Sequence, residues 1–322
     1  MHSARSGFIG FLILGWMVAA ALSCTARASD GDLVGGASDI DIIGSEGDGP
    51  LQFDRPRAIA VAADGLFWVA DMTGRIQSIG ADGRHRLSIS LPETNLGKPT
   101  GLTIDRDGNL LVAETHYARI SRYSADGELL DQWGESGKGP GQFVLITGLG
   151  VDREGNIYVT EQGDRNDRVQ KLDSTGKFIL TFGSFGEEPG QFRRPSAIVC
   201  DDEGNVYVAD TVNHRIQKFD GSGSLLKIWG GIGEAPGQFR YPYGITLGPD
   251  GILYTCEFQN NRIQAFTLDG RPLGAFGRAG SEPGEFLTPK GIAATPDGGL
   301  LVADTNNDRV QRIRADFWKK GS

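Results

Sequence analysis

An acidic residue followed four to seven positions later by an arginine recurs six times along this chain, and that recurrence constrains the fold more than any other feature. The acids are Asp71, Glu114, Glu161, Asp210, Glu257 and Asp304, and the arginines are Arg75, Arg119, Arg168, Arg215, Arg262 and Arg309. Successive arginines stand 44, 49, 47, 47 and 47 residues apart. No helical period of apolar residues survives across a repeat. Each instead holds four short apolar runs separated by turn residues, the pattern of antiparallel strands. Asp64-Gly65, Asp107-Gly108, Glu154-Gly155, Glu203-Gly204, Asp250-Gly251 and Asp297-Gly298 divide the first run from the second, where glycine supplies the positive φ of a tight turn. Asp126-Gly127 and Asp269-Gly270 do the same between the third and fourth. Four antiparallel strands per repeat, six times over, predict an all-β fold, a six-bladed β-propeller.

Alternation along the second strands places Trp68, Leu111, Tyr158, Tyr207, Tyr254 and Leu301 on one face, a column expected to pack between neighbouring blades. The sixth repeat stops after its third strand, Arg309 to Ile313, while Asp39 to Pro56 matches the end of a repeat. The N-terminal strand is therefore expected to complete the last blade in a 3+1 closure, removing the exposed edge of an open sheet.

The start of the chain reads as an export signal. An apolar run from Phe8 to Leu22 follows Arg5 and is short for a membrane span. Ala26-Arg27-Ala28 would release a chain beginning at Ser29, whereas Ala20 to Cys24 resembles a lipobox with Cys24 as the lipidated residue. Both readings stay open. They give a signal over 1–28 or 1–23, a linker over 29–38 and a propeller over 39–322, with the protein working outside the cytoplasm, periplasmic, lipid-anchored at a cell surface, or secreted. A net charge of −9 argues against nucleic-acid partners, which need a basic face. Membrane contact is expected only through the lipid, and the chain is expected to be a monomer.

The segment Asp202 to Phe219, with Asn213-His214 before Arg215, resembles the NHL repeat. So do the loops that end at Phe143, Phe192, Phe239 and Phe286. The resemblance runs from about Asp39 onward. It implies one of several activities: RNA binding, extracellular sensing, or zinc-dependent lysis of peptidyl-α-hydroxyglycine. The acidic charge disfavours the first. For the lyase class, the resemblance implies three zinc-binding histidines on different blades, one of them after an inner-strand proline. Here the residues opening the inner strands are Arg57, Thr100, Thr147, Ser196, Tyr243 and Lys290, none of them histidine. Beyond the leader, only His85, His116 and His214 remain, and they do not follow that rule.

Six identical acid–arginine pairs read as structure, tying the loop between strands two and three. Function is then expected where the repeats differ, on the rim and channel mouth. The candidates are Arg57, Thr100, Thr147, Ser196, Tyr243 and Lys290, with His116, Tyr117, His214 and Phe258 from the loops. Arg57 and Lys290 come from blades one and six and are expected side by side. This mixture of amides, aromatics and charges suits a peptide, protein or glycan partner; the alternative is an extracytoplasmic lyase or hydrolase with a metal in the channel. No catalytic residue and no cofactor is assigned. Calcium or zinc stays open as a bound ion, with no ligand loop of known spacing for either. Cys200 and Cys256 are expected to be buried free thiols. Lipidation is directly testable: Cys24→Ala should shift the protein from the membrane to the soluble fraction, whereas a wild-type protein that is soluble and begins at Ser29 excludes the anchor.

Overall fold

The computed structural model describes residues 39–314. The leader, the linker and Cys24 lie outside the described residues, as do residues 315–322. Six four-stranded antiparallel sheets follow one another along the chain. Their innermost strands are Ala58–Val61, Gly101–Ile104, Leu145–Val151, Pro195–Cys200, Pro242–Leu247 and Gly291–Ala294. Together these line a central channel of about 320 Å³. The fold is a six-bladed β-propeller.

The ring closes across the chain's two ends. Ile40–Ile43 pairs antiparallel with Arg309–Ile313, from Ile40 opposite Ile313 to Ile43 opposite Val310. The blade-six sheet is therefore built from three C-terminal strands and one N-terminal strand. Ile40 and Ile43 are both buried, the first against blade five and six residues and the second against blade one.

The core lies between blades because each sheet is covered on both faces by its neighbours. Trp68, Leu111, Tyr158, Tyr207, Tyr254 and Leu301 are each at most 1% exposed. Each packs into the next blade: Tyr158 meets Val206 and Val208, Tyr254 meets Leu300 and Val302, and Leu301 meets Phe67 and Val69. Burying a side chain of this size contributes about 1.5–3 kcal/mol. A second buried series was not read from the sequence as core. Phe53, Phe143, Phe192, Phe239 and Phe286 end the links that enter blades one, three, four, five and six, and all are fully buried. They need glycine beside them: a Cβ on Gly183, already at φ +81°, would fall 2.2 Å from the Phe192 ring.

The acid–arginine pairs hold those links in place. Arg215 donates through Nε to Asp210 at 2.7 Å, and through its Nη atoms to the carbonyls of Glu187, Glu188 and Gln191 at 2.7, 2.9 and 2.8 Å. All three carbonyls belong to the segment joining blade three to blade four. Gln217, fully buried two residues on, adds the third partner. Its amide donates to the Gln191 carbonyl at 2.7 Å and to Asp210 at 3.0 Å, while its oxygen accepts from Gly190 N–H at 2.9 Å. Arg168 with Gln170, Arg262 with Gln264 and Arg309 with Gln311 repeat the arrangement, and Arg75 with Gln77 a close variant. Burial pushes the carboxyls of Glu161, Asp210 and Glu257 upward, and the surrounding arginine, amide and backbone donors pull them back.

Blade two breaks the pattern consistently. The segment 91–99 that leads into it lacks the Pro-Gly-Gln-Phe loop, and the glutamine position is occupied by Ser121. Arg119 instead pairs with Glu114 at 2.7 Å and Glu93 at 3.0 Å. Where the loop is missing, so is the side chain that would hold it. Closure can be tested by deleting residues 39–44. The loss of buried Ile40 and Ile43 alone is worth about 3–6 kcal/mol, so a thermal melt should drop by many degrees. An unchanged melt would mean that the strand adds nothing to the ring.

Candidate functional site

The six strand-opening residues reach the channel mouth by a shared backbone device. In blades three, four and five the register of the inner strand slips by one residue at Thr147, Ser196 and Tyr243. Such a bulge re-aims one side chain out of the ladder. Arg57, Thr100 and Lys290 hold the equivalent places just before their strands begin, and all six line the channel.

These positions divide into two halves. Blades two, three and four carry hydroxyls that are already spent on the neighbouring blade. Thr100 Oγ1 donates to the Thr147 carbonyl at 3.1 Å, Thr147 Oγ1 to the Pro195 carbonyl at 2.6 Å, and Ser196 Oγ to the Tyr243 carbonyl at 2.6 Å. Blades five, six and one carry Tyr243, Lys290 and Arg57, which are long and point their functional ends elsewhere. Small residues on one side and large ones on the other leave a cavity of about 340 Å³ at the mouth. Arg57, Thr147, Ser196, Tyr243, Lys290 and Phe258 line it, so six of the ten expected residues meet there.

The other four do not line that cavity. Thr100 lines the channel only. His116 is exposed on the blade-two loop, and the Tyr117 hydroxyl accepts from Leu96 N–H at 3.1 Å beneath the Arg119 guanidinium. His214 is a latch. Its Nδ1 accepts from Tyr241 N–H at 3.1 Å, as Asn261 accepts from Thr288, Asp308 from Arg55 and Asp167 from Arg194. An imidazole accepting at Nδ1 is neutral, and burial, followed by the charge of Arg240, pushes its pKa down. A residue interchangeable with Asn and Asp in this role is there for its acceptor atom.

Those four latches fix a set of positions that sequence reasoning overlooked. Arg55, Arg194, Tyr241 and Thr288 each precede a proline and hold φ between +50° and +56°. Non-glycine residues occupy this region at a cost, and the accepted N–H bond stabilises it. Arg194 and Tyr241 thereby project into the cavity. The signal was present in the sequence, since two of these pre-proline residues are arginine and one is tyrosine.

Charge distinguishes this cavity from the rest of the molecule. Arg57, Arg194 and Lys290 line it and no carboxylate does, although the chain carries 41 acidic residues against 32 basic ones. Lys290 Nζ lies 5.5 Å from the Tyr243 ring centre and 5.4 Å from that of Phe258. Burial, with the charges of Arg57 and Arg55, lowers its pKa to about 8. Arg57 donates to Met72 Sδ at 2.9 Å. Both thiols are free. Cys256 is buried, donates to the Lys290 carbonyl at 3.3 Å and is pushed up to about 12 by burial, while Cys200 is only half-buried along the channel. Among the described residues no three His, Cys, Asp or Glu side chains converge as a metal site.

The NHL repeat profile matches residues 192–219 and 286–313, the stretches that run from a buried link phenylalanine through the arginine–glutamine strand. The chain is a six-bladed β-propeller that carries NHL repeats. No curated protein matches its sequence. Among solved structures, this NHL propeller is similar to a streptogramin B lyase at 17% identity and a TM-score of 0.61, over 85% of this chain and 96% of that one. It is similar to a catalytically inactive virginiamycin B lyase from Staphylococcus aureus with quinupristin at 20% identity and 0.58, over 85% and 98%. A protein of unknown function from Bacteroides thetaiotaomicron aligns at 18% identity and 0.67, over 85% and 75%. At these identities the likeness is one of fold.

The buried lysine has a stability signature. Its folded pKa of about 8 lies below the ordinary 10.5. Below pH 8 the ammonium is present in folded and unfolded chains alike, and its burial cost is fully felt. Between pH 8 and 10.5 the folded form sheds its proton first and the cost fades. Lys290→Met should therefore raise the melting temperature at pH 7 and raise it less at pH 10; an equal change at both would mean that the amine is not desolvated.

Proposed function

We propose that this NHL propeller is an extracytoplasmic binding protein that takes a peptide, protein or glycan partner at the mouth of its channel. The observation that carries this reading is the asymmetry of the mouth. The repeating positions are spent on holding blades and links together, while Tyr243, Lys290 and Arg57 depart from the pattern on three consecutive blades and face one cavity. Residues that serve packing are alike from blade to blade because the packing is alike. A partner that meets several blades at once needs them to differ. Aromatic and arginine side chains around a concave pocket are also the usual carriers of binding energy.

A second reading, an extracytoplasmic lyase or hydrolase, is favoured by one observation. Lys290 has an accessible free-base form near neutral pH inside the cavity, as a general base requires. Two of the structural neighbours are lyases by name, which bears on fold alone. The metal-dependent version of this reading has no converging ligand set among the described residues.

Partners captured from the extracytoplasmic fraction by the immobilised propeller provide the test. Tyr243→Ala should weaken capture at least about tenfold, equivalent to about 1.4 kcal/mol, with the melt shifted by no more than a few degrees. Capture that persists unchanged would move the binding face away from the mouth. A collapsed melt would make Tyr243 a packing residue.

A further inference from the structure

We propose that the mouth cavity recognises the carboxylate of an organic acid whose body is apolar or aromatic, with Arg57 and Lys290 holding the carboxylate. The acid is either a free small molecule or the C-terminal end of a peptide. This inference rests on the mouth being the binding face and names what that face selects.

Three observations point to a single negative charge. The cavity is lined by three cationic side chains and no carboxylate, in a chain with an overall charge of −9. Among the described residues neither Arg57 nor Lys290 has an ion-pair partner; the Arg57 guanidinium donates to the Met72 sulfur, an uncharged acceptor. The groups facing Lys290 are Arg57 from blade one, Arg55 from the link before it, and the Tyr243 and Phe258 rings from blade five. Arg194, Tyr241 and the amides of Gln162 and Gln259 also line the cavity. The nearby acids are committed, Asp54 to the Arg55 side chain at 2.9 Å and Asp308 to the Arg55 N–H at 2.7 Å. Two like charges beside a partly desolvated amine raise the free energy of the empty site, and a carboxylate between them lowers it.

The same surroundings disfavour a phosphate. Phosphate sites use backbone N–H groups as well as cations. Here the N–H of Arg57 is given to the Ala70 carbonyl at 2.9 Å, and that of Lys290 to the Ala303 carbonyl at 3.2 Å. The hydroxyls of Thr147 and Ser196 are likewise spent. What remains is side-chain charge with the amides of Gln162 and Gln259, and the guanidinium of Arg57 is forked to suit a planar monoanion. Tyr241, Tyr243, Phe258 and Val212 provide an apolar wall for the body of the acid.

Calorimetry on the intact propeller tests this with N-acetylphenylalanine, its uncharged amide, the peptide acetyl-Gly-Gly-Phe and inorganic phosphate as probes. The acid should bind at least about tenfold more tightly than the amide. Its affinity should fall as pH rises through 8, by up to about tenfold per unit, because the ammonium form of Lys290 binds the anion and the free base does not. Lys290→Arg should keep binding and abolish this pH dependence. Lys290→Met should weaken binding at least about tenfold, and Arg57→Met should weaken it while moving the pH dependence of the remainder to higher pH, because the charge of Arg57 helps to hold the Lys290 pKa down. Tighter binding of the peptide identifies a C-terminus as the source, and equal or weaker binding identifies a small acid; either supports the inference. Equal affinity for acid and amide overturns it, as does preference for phosphate. If no acid binds yet Tyr243→Ala still abolishes partner capture, carboxylate selection fails while the binding face stands. If both fail, the mouth is not the site.

Discussion

The guanidinium that ties each arginine to the link before its own blade is the interaction on which the rest of this propeller depends. A β-sheet blade has no intrinsic reason to leave its outer strand by one route, and a loop crossing from the rim to the next inner strand exposes a run of backbone carbonyls. Arg215 and Gln217 collect those carbonyls, and Asp210 neutralises the charge that does so. A buried ion pair alone is a weak source of stability. This one is joined by an amide that both donates and accepts, so the donors and acceptors it removes from water are repaid on both sides of the link. Blade two shows what happens without it: the loop takes another course, and Glu93 reaches in to meet Arg119.

The fixed links in turn position the mouth. Each of four links ends in a left-handed residue before a proline, and an acceptor from the preceding blade holds its N–H. Strain at those four residues is confined to the backbone, so their side chains are free to vary. Arg194 and Tyr241 use that freedom to enter the cavity, as do Tyr243 at a bulge and Lys290 at a strand opening. The rigid scaffold therefore presents a variable set of side chains at fixed places, which is what a specific site requires.

On the proposed reading, electrostatics would give the mouth its selectivity. An acidic molecule repels anions at long range, yet within the Debye length of about 8 Å at physiological salt the local cations dominate. An anion would thus be accepted only if its body also fitted the aromatic wall. The cost of holding Lys290 partly desolvated beside Arg57 is borne by the folded protein as a whole and would be relieved by a counter-charge.

The sequence by itself determined the number of blades, the direction of closure, the inter-blade column from Trp68 to Leu301 and the structural nature of the acid–arginine pairs, because each is written as a period. Repetition is legible without coordinates: a residue that recurs every 47 positions must meet the same surroundings each time. Gln217 and its equivalents recur in five of the six blades, but a glutamine in a strand carries no sign of its partner, and only the tertiary structure showed the carbonyls it meets. The mouth was half legible. Arg57, Tyr243 and Lys290 stood out as departures from the period, whereas His214 looked functional because histidine chemistry is conspicuous, and the fold uses it as a plain acceptor. Arg194 and Tyr241 reach the cavity only because a left-handed backbone turns them inward. Such a turn depends on a hydrogen bond between residues 27 positions apart, and a contact of that kind is decided by the folded chain alone.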